Sequence, residues 1–156
     1  MRRWASVKNI SGLEVYLNFD CEKIYEIASG RPDEKLTDLP ERFEYIAAYL
    51  KDHTKKPVIA EAFADFDLSW TTPFQLKIYK ALANIPCGDM ISYGALAELA
   101  GRPGAARAVG SAMSKNRFII AIPCHRVIAA GRKLGGFSSG LDNKILLLKS
   151  EGIYDF

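Results

Sequence analysis

Leu13, Val15, Leu17 and Phe19 alternate with Glu14, Tyr16 and Asn18, the period of two that turns one side of an extended strand into a core and the other toward solvent. Ser11-Gly12 supplies the turn ahead of this strand. With residues 4–7 before it and 24–27 after it, the pattern over residues 1–28 predicts a small antiparallel sheet. Gly30-Arg31-Pro32 then breaks the chain. Behind Asp38, the apolar residues Phe43, Ile46, Ala47 and Leu50 recur at helical spacing, which predicts a helix over about 39–52. Pro57-Val58-Ile59-Ala60 reads as the start of another extended piece. Nothing in this half has a catalytic pattern, and it reads as scaffold.

The second half changes period. Thr72-Pro73-Phe74-Gln75 offers a hydroxyl cap, Pro at the first helical position and Gln three residues after the cap, so a helix starts at Pro73, runs to about Asn84 and ends at Ile85-Pro86. Ser92 caps a short helix over 93–100, stopped by Gly101 and Pro103. A further helix begins at Gly104 after a turn of about four residues, which makes a helix-turn-helix. Its first two turns hold Ala105, Ala106, Ala108, Val109 and Gly110, with Arg107 as the single long side chain. A major-groove reader presents several polar side chains to base edges. Two readings fit this stripe: close packing on a neighbouring helix, or shape-based binding in a minor groove. In the second, Arg107 enters the base stack or fills the space of an extruded base, while Lys115 and Arg117 hold phosphates.

Net charge, +3 over 156 residues, says little until it is divided. Residues 1–70 hold 10 Lys/Arg against 13 Asp/Glu, a net of −3, and residues 71–156 hold 11 against 5, a net of +6. A basic half suits an anionic partner such as nucleic acid, although a solvated charged face gives the same numbers. A chain of this length buries one core or two small ones sharing a boundary, and we expect that boundary near residue 70, giving units 1–70 and 71–156. The basic start is not followed by an apolar run of signal-peptide or membrane-span length. This predicts a cytoplasmic or nucleoid-associated monomer without membrane contact. Three cysteines without regular spacing fit a reducing compartment; Cys21, in a strand-like stretch, and Cys87 read as structural filler. With His53 and His125 as the only histidines and no C-x-x-C pair, the spacing predicts no metal site. The absence of a Gly-rich nucleotide fold predicts no cofactor or methyl donor.

The chemistry concentrates after Asn116. An apolar run over 118–122 leads into Pro123-Cys124-His125-Arg126-Val127. A thiolate is a strong soft nucleophile, and an ordinary thiol near pH 7 needs a base to become one. His125 is adjacent, but neighbours in a strand point to opposite sides, so it can act on Cys124 only if the chain turns here or a water bridges the two. From the residues alone, a buried Cys beside a structural His is the default reading of such a pair.

Taken together, Pro-Cys-His-Arg-Val, the upstream Ile91-Ser92-Tyr93, the Ala105-Ala106-Arg107-Ala108-Val109-Gly110 helix and the downstream Gly135-Gly136-Phe137-Ser138-Ser139-Gly140 resemble, in order and spacing over about residues 72–152, the 6-O-methylguanine-DNA methyltransferase family. The resemblance implies an α+β chain: a small N-terminal antiparallel sheet with a helix, ribonuclease H-like, and a C-terminal helical, winged-helix-like unit carrying the helix-turn-helix. It implies DNA repair by single, irreversible transfer of the alkyl group of a 6-O-alkylguanine from double-stranded DNA to Cys124, and leaves open whether 4-O-alkylthymine is also accepted. In that scheme His125 is the base, through a bound water, and Glu151 orients it. Tyr93 gives a proton toward the departing guanine, and Asn116 buttresses the turn that carries the nucleophile. The loop over 135–140 closes on the flipped base with Gly136, Phe137 and Ser138, and the backbone carbonyls of Cys124 and Val127 receive its exocyclic amine. Arg107, with Ala106, Ala108, Lys115 and Ser92, meets the DNA. Phe137 stands where Tyr is common in the family and Ser139 where Gly is common, so the pocket differs in hydroxyl content and width.

Three rival readings remain. A non-catalytic alkyl-damage-binding protein shares this scaffold but replaces the cysteine, so Cys124 opposes it. A redox-sensing helix-turn-helix regulator needs more base-reading side chains than Arg107. A thiol hydrolase would show steady turnover on an ester or peptide.

Overall fold

The computed structural model describes residues 1–55 and 62–156, so the extended piece expected from Pro57 lies outside the described residues. The first three strands, β1 (Arg3–Lys8), β2 (Glu14–Phe19) and β3 (Ile24–Ala28), form the antiparallel sheet that the alternation predicts, in the order β1-β2-β3. Its register pairs Ala5 with Leu17 and Leu17 with Ile27. β2 is central and covered on both faces: Tyr16 is 5% and Asn18 8% exposed. The expectation of a solvated face therefore fails, because later segments of the chain also pack on this strand, which a local period cannot reveal. Cys21 is not filler either; it is exposed in the turn between β2 and β3.

The helix expected over 39–52 is shorter. A 3-10 turn over Glu41–Phe43 leads into α1 (Glu44–Lys51), which buries Ile46, Tyr49 and Leu50. Pro40 rather than Asp38 stands at its head. After α2 (Ala62–Asp65) comes α3 (Pro73–Ala83), and here the sequence signal is realised in full: Thr72 Oγ1 accepts from Gln75 N at 3.2 Å, and Thr72 N donates to Gln75 Oε1 at 2.8 Å. A two-residue strand, β4 (Ile91–Ser92), runs into α4 (Tyr93–Leu99), where Ser92 Oγ accepts from Ala95 N. The next helix, α5 (Ala106–Lys115), starts two residues later than expected, so the turn before it is longer. β5 (Val127–Ile128) pairs in parallel with β4, and α6 (Leu141–Ser150) ends the chain's regular structure.

One continuous apolar core joins both halves. It includes Leu17, Ile24 and Ile27 of the sheet, Tyr79 and Leu82 of α3, Val109 of α5 and Leu147 of α6. Phe66 stacks on Phe118 with centroids 4.4 Å apart, and Tyr79 Oη donates to the Ala112 carbonyl at 2.7 Å. Each such buried side chain contributes roughly 1.5–3 kcal/mol relative to exposure. Among the described residues no helix is long and apolar enough to cross a membrane.

Candidate functional site

The chain turns at the cysteine. Asn116, buried, donates from Nδ2 to the Ile122 carbonyl at 3.0 Å and accepts at Oδ1 from Phe118 N at 2.9 Å, clamping both ends of the apolar run into a loop. Inside it Ile120 has φ 68°, a conformation that strains a β-branched residue and persists only when its surroundings enforce it. Residues 119–122 are buried, and the loop is hooked to the sheet edge: Ile27 N donates to the Arg117 carbonyl and Ile119 N to the Ile27 carbonyl. Pro123 then opens a 3-10 turn over Cys124–Arg126, which spaces successive side chains by about a third of a revolution instead of setting them on opposite faces.

Cys124, 4% exposed, forms part of the wall of a cavity of about 250 Å³. Of the residues predicted for the pocket, Tyr93, Gly136, Phe137 and Ser138 line it with Cys124; Gly110, Met113 and Ser114 of α5 complete it. Val127 is not on its wall, and its carbonyl accepts from Lys144 Nζ at 2.6 Å. Arg107 is exposed and lies three residues before Gly110, hence on the same helical face one turn toward the start of α5. Ala106 and Ala108 flank it half-buried, Lys115 is exposed at the other end of the helix, and Ser92 is occupied as the cap of α4. At Gly135, with φ +68°, a Cβ would stand 2.9 Å from the Tyr93 hydroxyl, so only glycine lets this loop lie against that ring. A larger hollow of about 550 Å³, by Phe63, Leu68 and Leu76, has neither cysteine nor histidine on its described walls, and Lys80 is the one ionisable side chain there.

Behind the cysteine lies a buried charge cluster. Glu151 follows α6 as its C-cap, where the helix dipole disfavours a carboxylate. Arg126, 2% exposed, answers it: Nε lies 3.1 Å from both carboxylate oxygens and Nη2 3.0 Å from Oε1, while Nη1 donates to the Ile85 carbonyl at 2.6 Å. Gly88 N donates to Oε2, and His125 Nε2 stands 2.6 Å from Oε1. Burial alone would raise the Glu151 carboxyl, but hydrogen bonds from His125 and Arg126, with the His53 ring nitrogen close by, outweigh it and hold it well below the usual carboxylate range. The carboxylate accepts, so His125 carries its hydrogen on Nε2 and presents a lone pair at Nδ1. That atom is buried and without a partner among the described residues.

Burial pushes the His125 imidazolium down to about 4, with Glu151 opposing and Arg126 and His53 adding to the fall. Burial pushes the Cys124 thiol up to about 11, against hydrogen bonds from Asn116 and from the backbone of Cys124 and His125 and the charge of Lys144. The resting pair is therefore neutral, and a thiolate forms only as its proton is taken. Lys144 is fully buried on α6 and spans the loop, donating to the carbonyls of Val127, Leu134 and Gly136; burial lowers it to about 8.

Three members of this arrangement escape the sequence reading. Arg126 lies inside the motif, but its partner is 25 residues away. Lys144 interrupts an apolar helix, a signal of a buried cation. His53 comes from the half read as scaffold, and its Nε2 lies 3.1 Å from Glu151 Oε1. His53, His125 and Glu151 bring one ligand atom each within 4.8 Å of one another, a gathering that the spacing does not foretell; Arg126 already neutralises the carboxylate there.

Residues 73–153 match the family model described as the DNA-binding domain of 6-O-methylguanine DNA methyltransferase. The methylated-DNA–protein-cysteine methyltransferase of Shigella flexneri is 51% identical over 81 residues, 52% of this chain and 47% of that protein. The matched stretch thus spans about half the length of the curated relatives. Mycobacterium tuberculosis OGT in complex with DNA superposes with a TM-score of 0.71 at 31% identity, covering 96% of this chain and 93% of that one. The 6-O-methylguanine-DNA methyltransferase of Pyrococcus kodakaraensis gives a TM-score of 0.74 at 26% identity, covering 98% and 100%.

Proposed function

The chain belongs to the 6-O-methylguanine DNA methyltransferase family, and from that premise we propose that it repairs DNA by moving the alkyl group of a 6-O-alkylguanine, once and irreversibly, onto Cys124. One observation carries this reading: a thiol on the wall of the cavity is followed by a buried imidazole with one nitrogen tied to a carboxylate and the other unengaged. Such an imidazole is a base aimed by its carboxylate. Residues 1–70 act as a ribonuclease H-like scaffold, and residues 71–156 as a winged-helix-like unit whose α4 and α5 meet the minor groove of duplex DNA. Ser92, Ala106, Ala108 and Lys115 contact the DNA backbone in this reading, which fits a family in which the M. tuberculosis relative has been solved in complex with DNA.

The base leaves the duplex at a cost of roughly a few kcal/mol, and Arg107 offsets part of this by filling the gap. Phe137 stacks against the flipped base, Ser138 and the Gly136 backbone face the 6-oxygen, and the Cys124 carbonyl, at the cavity wall, receives the exocyclic amine. The thiol proton passes to His125 Nδ1 through a bound water, and Glu151 stabilises the imidazolium. Sulfur then attacks the alkyl carbon: the S–C bond forms, the C–O bond breaks, and its electron pair leaves on guanine, which takes a proton from Tyr93. Asn116 keeps the strained turn in place. The thioether has no leaving group at neutral pH, so each molecule reacts once, and no cofactor takes part.

Mixing the protein with a duplex holding one 6-O-methylguanine and reading intact mass and peptide map tests this. One added methyl group per protein, on the Cys124 peptide, is the expected result; tight binding without mass gain would support the damage-binding alternative instead. A second expectation concerns Arg107→Ala, which lowers transfer from duplex by about tenfold, the scale of a lost part of the extrusion energy, and leaves transfer from free 6-O-methylguanine unchanged. Equal losses on the two substrates would remove Arg107 from the flipping step.

A further inference from the structure

Glu151 Oε1 is approached by two imidazoles. His125 Nε2 lies at 2.6 Å and His53 Nε2 at 3.1 Å, all three side chains fully buried. The second ring follows α1, in the half of the chain whose sequence offers no catalytic pattern. Its contact is close but not well aligned as a hydrogen bond, so its identity as donor has to come from its other nitrogen.

Asn9 supplies that answer. Asn9 Oδ1 accepts from Ser11 N at 2.8 Å, which fixes which end of the amide is which. Nδ2 then donates to the Leu50 carbonyl at 2.5 Å and faces His53 Nδ1 at 3.0 Å. A nitrogen that accepts from an amide carries no hydrogen, so the His53 hydrogen sits on Nε2, toward Glu151. Asn9 itself is 2% exposed and anchored in the β1–β2 turn, where Ile10 N donates to the Lys51 carbonyl. The two imidazoles also pack edge to face, with centroids 5.6 Å apart and planes at 87°, so the His53 ring borders the space in which His125 can tilt.

We infer that His53, held in one tautomer by Asn9, is a positioning residue for alkyl transfer: its buried N–H and its ring edge fix the Glu151 oxygen and the His125 ring that this oxygen aims. The inference rests on the repair reading. It gives the N-terminal half a part in the chemistry, acting through Glu151 and never touching the reacting atoms. Two consequences separate it from mere packing. A donor shared by His53 withdraws part of the Oε1 charge from His125, so losing it makes His125 more basic. It also loosens the aim of the base, so losing it slows transfer.

The test is single-turnover methyl transfer from free 6-O-methylguanine across pH, with an NMR titration of the His125 ring in the protein alone. His53→Phe is expected to lower the plateau rate about tenfold and to raise the His125 midpoint by about one pH unit. His53→Gln, which can accept from Asn9 and donate to Glu151, is expected to restore most of both. In a Glu151→Gln background the His53→Phe change adds less than twofold, because residues acting through one another are not additive. Should His53→Phe fail to fold, Asn9→Ala releases the tautomer without touching the ring, and moves the midpoint in the same direction by less. An unmoved midpoint with a plateau within twofold of the parent overturns the inference, as does a full loss in the Glu151→Gln background. A parent protein that transfers no methyl group would overturn the repair reading instead, while the titration still tests the positioning of His125.

Discussion

Arg126→Ala is expected to cost about 3–5 kcal/mol of folding free energy, the usual loss when one partner of a buried ion pair is removed. The guanidinium makes three contacts to Glu151 and one to the Ile85 carbonyl, and it is 2% exposed. Removing it leaves a carboxylate at a helix C-terminus, where both burial and dipole oppose its charge, with only neutral donors from His125, His53 and Gly88. For a chain of this size, the melting temperature should fall by on the order of 10 °C. The pH dependence has a definite sign. Glu151 is held below its ordinary 4.5, so what its partners contribute is present above about pH 4.5 and fades as acid protonates it. The gap between parent and Arg126→Ala is therefore widest near neutrality and narrows in acid. Urea unfolding at pH 7 and pH 4 checks both statements. A loss under about 1 kcal/mol at pH 7 would place the pair in the class of solvated surface bridges. Replacing both partners, as Arg126→Met with Glu151→Gln, should cost less than Arg126→Ala alone, since no charge is stranded.

Local signals carried much of the architecture. The alternation of Leu13, Val15, Leu17 and Phe19 located β2, and Thr72-Pro73-Phe74-Gln75 located the start of α3, because both are set by contacts within a few residues. The covering of Tyr16 and Asn18 and the position of Pro40 rather than Asp38 at the head of the first helix depend on which distant segments arrive. The same division holds at the site. Tyr93, Cys124, Gly136, Phe137 and Ser138 were named from motifs and meet around one cavity. Gly110, Met113 and Ser114 join them from the helix whose small residues the sequence leaves open to packing or to DNA; the structure uses its inner face for the pocket and leaves Arg107 exposed. Arg126, Lys144, His53 and Asn9 were not assigned roles. Apart from Ser11 beside Asn9, their partners lie 8 to 98 residues away in the chain, and a single sequence does not say which buried polar groups end up facing each other.

His125→Gln is expected to slow transfer by about 10²–10⁴-fold at neutral pH, the range contributed by a positioned general base. Glutamine can still donate to Glu151 Oε1, so the buried carboxylate keeps its partner, but the lone pair of Nδ1 is gone. In the parent protein His125 gains a proton only near pH 4; its neutral, proton-accepting form therefore predominates above that, and the rate should be flat through neutrality and fall as pH drops through about 4. Without the base, transfer depends on thiol that has ionised by itself. Burial holds Cys124 near 11, so the rate of His125→Gln should climb about tenfold per pH unit from 7 toward 10, the slope of a group titrating well below its pKa. The two profiles converge in alkali and separate further with each unit that the pH falls, until the parent's own decline near 4. Single-turnover rates on free 6-O-methylguanine between pH 5 and 10 read this directly. Parallel profiles, displaced but equal in slope, would mean that the thiol proton leaves by a route that does not include His125, and the unengaged Nδ1 would then be a feature of packing rather than of chemistry.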